Sequence, residues 1–247
     1  MTLPAIARVL LISGLATGAA RAGALPELVV NDTNAPPYTT AAGDGSLDVL
    51  AGAAFRCAGV GLRLVKLPAG RALRAADAGI IDGDLVRIAG IEKNHANLVP
   101  VPEKLVDWRF AAYSRNAALP AQWAVLRRQR VGYIRGWKIY ERALAGAPHV
   151  TAVDDAAQLF RLLDLGRIEV ALYAQELGEA HLRQQGMSGV RRLEPPLATQ
   201  AMFIYLHQRH AARVPRIAAA LHALKAGGNN GRPDCGSAPP PAAGVVL

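Results

Sequence analysis

Aromatic residues make up only 5% of the 247-residue chain. Aliphatic side chains and alanine must therefore fill the interior, and the 51% hydrophobic content is enough for one large core or two modest ones. Cysteine occurs only at Cys57 and Cys235. A bridge between them is permitted but not required; the alternative is Cys57 as a small apolar core residue and Cys235 as a free thiol. No histidine lies near either in sequence, so neither reads as a nucleophile. The formal charge is +9, yet the arginines are scattered, and Arg127-Arg128-Gln129-Arg130 and Arg191-Arg192 are the only tight clusters. That lacks the dense basic stripe with interleaved aromatics that nucleic acid requires. No Gly-x-Ser-x-Gly, phosphate-loop or dinucleotide glycine motif occurs. His207, His210 and His222 have no further ligands converging on them, so neither a metal nor a cofactor is expected.

The longest apolar run, Val9 to Ala16, is too short for a membrane span, which needs ~20 residues. It follows Arg8 and leads to Ala20-Arg21-Ala22, a small-x-small cleavage pattern. Residues 1–22 read as a cleaved secretory signal with Gly23 as the mature start, which implies a periplasmic protein. No cysteine follows the cleavage site, which speaks against a lipid anchor. At the other end, residues 227–247 are rich in Gly, Asn and Pro and read as a loosely tethered tail.

Between these ends, strands and helices alternate. Leu28-Val29-Val30 is a strand, followed by a loop in which Pro36-Pro37 precedes Tyr38 and can hold its ring in a fixed place. Ser46 is a candidate N-cap for a helix over 47–58, with Leu47, Leu50, Ala51, Ala54 and Phe55 at helical spacing. Residues 62–67 alternate at period two, as a half-buried strand does. A helix over 71–78 ends at Gly79, which takes positive φ without a Cβ penalty. After the turn Asp82-Gly83, a strand runs over 85–88. A second unit repeats the pattern: strands at 107–114, 130–134, 150–153, 168–173, 190–193 and 200–206, with helices over 138–144, 155–165 (capped by Asp154), 175–185 and 211–226. The βαβ order predicts α/β architecture with mainly parallel sheets.

Pro36-Pro37-Tyr38, Gly79-Ile80-Ile81-Asp82-Gly83, Val131-Gly132-Tyr133-Ile134-Arg135-Gly136 and Leu165-Gly166-Arg167-Ile168-Glu169 occur in an order that resembles the extracytoplasmic solute-binding proteins. More narrowly, the chain resembles family 3, which serves polar amino-acid ABC transporters and has the type II periplasmic binding fold. The resemblance covers about residues 25–226. It implies two α/β lobes, 23–110 plus 200–226 and 114–196, joined by crossing strands at Phe110–Tyr113 and Met202–Leu206. It implies a monomer, not an enzyme, that closes on a small polar ligand and is met by a membrane permease or sensor. The family's Ser/Thr-x-x-Arg ligand motif is replaced by Ile91-Glu92-Lys93, so an amino acid and an organic anion both remain open as ligand. An exported enzyme on the same scaffold, or a signalling partner of a membrane receptor, is the alternative.

Ligands of open α/β sheets bind beyond the carboxyl ends of the strands. That rule selects Arg87 as a carboxylate-binding candidate, against a salt bridge to Asp82 or Asp84. It also selects Asp84, against a turn acid, and Arg71 at the helix start, against a solvated side chain. Tyr38, Trp108, Tyr113, Trp137 and Tyr173 are aromatic candidates, each against ordinary packing.

Overall fold

The computed structural model describes residues 25–32 and 36–227. The expected signal segment and the tail beyond residue 227 lie outside the described residues. Cys57 is disulfide-bonded, while Cys235 lies outside the described residues.

The first half comprises β1 (Glu27–Asp32), α1 (Ser46–Cys57), β2 (Gly61–Lys66), α2 (Ala69–Asp77), β3 (Gly83–Ile88) and β4 (Leu98–Pro100). The second comprises β5 (Val106–Ser114), α3 (Trp123–Leu126), β6 (Val131–Ile134), α4 (Lys138–Ala143), β7 (Val150–Val153), α5 (Ala156–Asp164), β8 (Val170–Ala174), α6 (Gln175–Gln184) and β9 (Arg191–Arg192). The chain then returns through β10 (Ala198–His207), a 3-10 segment at Gln208–Arg213, and α7 (Val214–Ala226). The strands form one curled path, β2-β1-β3-β10-β5-β8-β6-β7. β2, β1 and β3 are parallel, as are β8, β6 and β7, while β10 and β5 run antiparallel to their neighbours. This is a two-lobe α/β fold with two strands crossing between the lobes.

The crossing strands meet at a place slightly different from that expected. β5 and β10 pair at Val106–Phe110 with Ala198–Met202. Phe110–Tyr113 instead pairs with β8, and Met202–Leu206 with β3 and β4. Each expected crossing segment is thus already inside a lobe.

Local chemistry explains the helix ends. Gly45, not Ser46, is the N-cap of α1; the Asp48 carboxylate accepts from the Gly45 and Thr40 amides at 3.1 and 2.8 Å. Asp155, not Asp154, caps α5, accepting from the Gln158 amide at 2.8 Å. Gly79 follows α2 with φ +69°, as its position after a helix end requires. The last helix is shorter than expected, because residues before Val214 wind as a 3-10 segment. α3 is a single turn that periodicity does not reveal.

The interior around β5 and β8 is aromatic despite the low aromatic content. Trp108, Phe110, Tyr113, Tyr140 and Phe160 are all buried. The Tyr140 hydroxyl donates to the Tyr173 carbonyl at 2.7 Å, and the Tyr113 hydroxyl to the Gln175 carbonyl at 2.7 Å. Both rings therefore fasten β8 and the start of α6 while keeping their polar ends satisfied.

Candidate functional site

A cavity of about 550 Å³ opens between the lobes. The carboxyl ends of five parallel strands supply much of its wall. Asp32 ends β1, Lys66 ends β2, Arg87 and Ile88 end β3, Ile134 ends β6, and Asp154 follows β7. Trp108 and Phe110 come from β5, Met202 from β10, and Tyr173 from β8. Trp137 and Lys138 come from the β6–α4 junction, Asp155 from the α5 cap, and His181 and Gln184 from α6.

Arg87 is the centre of the polar chemistry. It is 6% exposed, and its Nη2 donates to the Asp84 carboxylate at 2.5 Å and to the Ala69 carbonyl at 2.7 Å. Its Nη1 donates to the Gly136 carbonyl, in the opposite lobe, at 3.4 Å. The guanidinium therefore ties β3 to the start of α2 and to the far side of the cleft. Asp84 is fully buried and also receives the Asn31 side-chain amide at 3.4 Å. A charge pair this deep is retained only because each partner is both paired and hydrogen-bonded.

Gly136 lies close against the start of α2 across the cleft. Its φ is +88°, and a Cβ built there would stand 2.6 Å from the Gly70 Cα. A side chain at 136 would meet backbone of α2, whereas a Cβ on Gly70 would meet nothing nearer than the Arg135 Cγ at 3.6 Å.

Trp137 stacks on Tyr173 with centroids 4.9 Å apart, and on Tyr140 at 5.8 Å. It tilts against Trp108 at 5.5 Å, and Trp108 in turn stacks on Tyr38 at 6.3 Å. Phe160 joins Tyr173 to His181, whose ring stacks on it at 4.7 Å. The aromatic series thus runs from the Pro36-Pro37-Tyr38 loop to α6 along one side of the cleft. Burial pushes the Tyr173 hydroxyl well above its usual range, with Asp155 adding to the effect. Burial also holds the His181 imidazole below its usual value, and Asp155 opposes that only in part.

His181 yields a pH prediction. Its folded pKa is depressed, so the unfolded chain binds more protons once pH falls toward the unfolded value of about 6.5. Stability then declines as pH drops below that value, and the decline ends once pH is below the folded pKa. Thermal melts between pH 8 and pH 5 should show a smaller loss of Tm for His181→Gln than for the unaltered chain. Parallel curves would remove His181 as a contributor.

Of the side chains singled out in the sequence, Arg87, Trp108, Trp137 and Tyr173 line the cavity. Tyr38 stands behind Trp108, and Asp84 lies beneath Arg87, both off the wall. Tyr113 is fully buried and bonded to backbone, away from the cavity. Arg71 is exposed on α2 and does not line the cavity, because Ala72, Leu73, Ala75 and Ala76 take the buried face of the helix and leave position 71 to solvent. The sequence reading missed Asp32, Lys66, Lys138, Asp154, Asp155 and His181. The rule that located Arg87 at the end of β3 also locates Asp32, Lys66 and Asp154 when applied to every parallel strand. His181 carries no such signal, since it arrives from a helix face.

No family model matches the sequence, and no curated protein matches it. Solved structures do match. A histidine kinase sensor domain with similarity to periplasmic binding proteins superposes with a TM-score of 0.73 at 20% identity, covering 82% of this chain and 91% of that one. An ancestral arginine-binding protein bound to arginine gives 0.70 at 18% identity, covering 82% and 93%. Holo ArgBP from T. maritima gives 0.69 at 16% identity, covering 81% and 90%. The chain therefore has the type II fold of the periplasmic binding proteins.

Proposed function

We propose that this protein is an exported solute-binding protein that captures a small polar ligand, amino-acid-like or an organic anion, between its lobes for an ABC-type transporter. In this reading the lobes are 23–110 with 200–226, and 114–196, and residues 1–22 direct the chain to the periplasm. The observation that carries it is the cavity itself. Its volume lies within the range of about 300–1,000 Å³ typical of ligand sites, and both lobes contribute wall residues. Direct bonding from Arg87 to Gly136 across the cleft supports a closed state that a partner can distinguish from an open one. No helix among the described residues is long and apolar enough to cross a membrane.

The sensor-domain likeness supports a second reading, in which the closed form signals to a membrane kinase. Thermal-shift screening against the standard amino acids and small organic acids tests ligand capture. A ligand at 100 times its Kd adds ~2.7 kcal/mol, which corresponds to about 5–11 °C in Tm for a domain of this size. If no compound in the set moves Tm, the capture reading falls. Cross-linking from the cleft rim in cells then separates the partners: a permease supports transport, a histidine kinase the second reading.

A further inference from the structure

The contact between Arg87 and Gly136 has a further partner. The Gly136 carbonyl accepts from Arg87, and the Gly136 amide donates to Glu141 Oε1 at 2.7 Å. The second oxygen, Glu141 Oε2, accepts from the Lys138 ammonium at 2.7 Å. Gly136 and Lys138 line the main cavity, whereas Glu141 lines a separate groove of about 350 Å³ with Ile91, His95 and Arg142. One carboxylate outside the cavity thus holds two residues of its wall.

That hold bears on closure. Glycine at φ +88° is free to leave this conformation for others, so the direction of its carbonyl depends on what fixes its amide. Glu141 fixes it by reaching back from the first turn of α4 to a residue before the helix start. A side chain reaching back in this way ordinarily serves only to satisfy an amide at a helix entry. Here the residue it satisfies is also the one that meets Arg87. Charge acts in the same sense. Burial works to raise the Glu141 carboxyl, yet the bonds from Lys138 and the Gly136 amide, with the nearby Arg87 charge, hold it below its usual value. Arg87 is therefore drawn to a carboxylate on its own strand, Asp84, and to one that arrives from α4.

We propose that Glu141 is the positioning residue for closure: it aims the Gly136 carbonyl at Arg87 and so keeps a share of the free protein closed before any solute arrives. The purpose of such a share rests on the capture reading, since a solute that binds the closed form then finds part of the population ready for it.

Pulsed dipolar EPR on the unliganded full chain tests this, with nitroxide labels at Arg74→Cys on α2 and Ala145→Cys just after α4. Both positions are exposed, and no described cysteine is free to compete for the label. The unaltered labelled chain should show a short-distance population. Glu141→Ala removes the acceptor and should move most of that population to longer distance. Glu141→Gln keeps an oxygen for the Gly136 amide and should leave most of it in place, as should Lys138→Met, which removes only the other partner. If Glu141→Ala fails to fold, Glu141→Asp, which keeps the charge and shortens the reach by one methylene, should behave as the alanine was expected to. An unmoved distance in the alanine or aspartate variant overturns the proposal. So does a shift in Glu141→Gln or Lys138→Met as large as the alanine's, and so does the lack of a short-distance population in the unaltered chain. No solute enters this measurement, so a thermal-shift screen without a hit would sink solute capture and leave the role of Glu141 to be decided by the distances.

Discussion

Gly136→Ala is expected to abolish the closed arrangement, while Gly70→Ala, on the other side of the same contact, leaves it intact. At position 136 a Cβ would overlap the backbone of α2, and backbone cannot rotate aside as a side-chain tip can. The positive φ adds a penalty of roughly 1–2 kcal/mol for a residue with a Cβ. At position 70 the same methyl would meet the Arg135 Cγ at 3.6 Å and the Arg135 carbonyl oxygen and Arg74 guanidinium at 3.8 Å, all ordinary contact distances. Gly70 also lies within α2, where alanine should add about 0.5–1 kcal/mol of stability. Small-angle scattering should therefore show a larger radius of gyration for Gly136→Ala and an unchanged one for Gly70→Ala. Ligand affinity should drop at least tenfold in the first variant only. Equal behaviour of the two alanines would show that this contact does not govern closure.

The Arg87–Asp84 pair should give the second large effect. Arg87→Met removes the cation from a carboxylate that is fully buried, leaving Asp84 with the long Asn31 contact. Breaking one side of a buried pair in this way typically removes about 3–5 kcal/mol. For a domain of this length each kcal/mol corresponds to about 2–4 °C, so Tm should fall by roughly 6–20 °C. Arg87→Met combined with Asp84→Leu should recover at least half of that loss, because the stranded charge is gone. Calorimetric melting of the two variants decides it. A single variant within about 1 kcal/mol of the unaltered chain, on the scale of an ordinary surface pair, would mean that Asp84 is already relieved by another group.

Element type was legible in the sequence because short β-prone runs and helically spaced apolar residues are separated by turn signals. Leu47–Phe55 keeps helical spacing and lies in α1, while β3 and β8 read as strands from their apolar runs although they are buried along nearly their whole length. What periodicity does not encode is which strands leave a lobe. Phe110–Tyr113 and Met202–Leu206 look like crossing strands by position, yet the crossing pairs lie at Val106–Phe110 and Ala198–Met202. Register is a matter of tertiary pairing, and an apolar run is equally content on either side of the crossing. The site was half legible for a similar reason. Arg87 is marked by a local rule, since it ends a strand after a turn. Trp137 was marked only as an aromatic beside a glycine, and its packing against Trp108, far away in the chain, is a product of lobe closure. His181 reaches the cleft from α6 through stacking on Phe160, which no sequence spacing announces.

The place of β10 in the sheet has a consequence for how the chain matures. β10 lies between β3 and β5, and α7, packed against α1, follows it. The first lobe therefore lacks an inner strand and one covering helix until the final quarter of the described residues has been made. The elements from β5 to β9 are continuous in the chain and need only β10 beside β5. Chains emerging from a ribosome or a translocation pore expose their N-terminal portion first. Here that portion waits longest, with Leu85, Val86 and the Asp84–Arg87 pair open to solvent. Pairings of such long sequence separation form slowly. The strands of the first half therefore reach their final pairing only after β10 has been made.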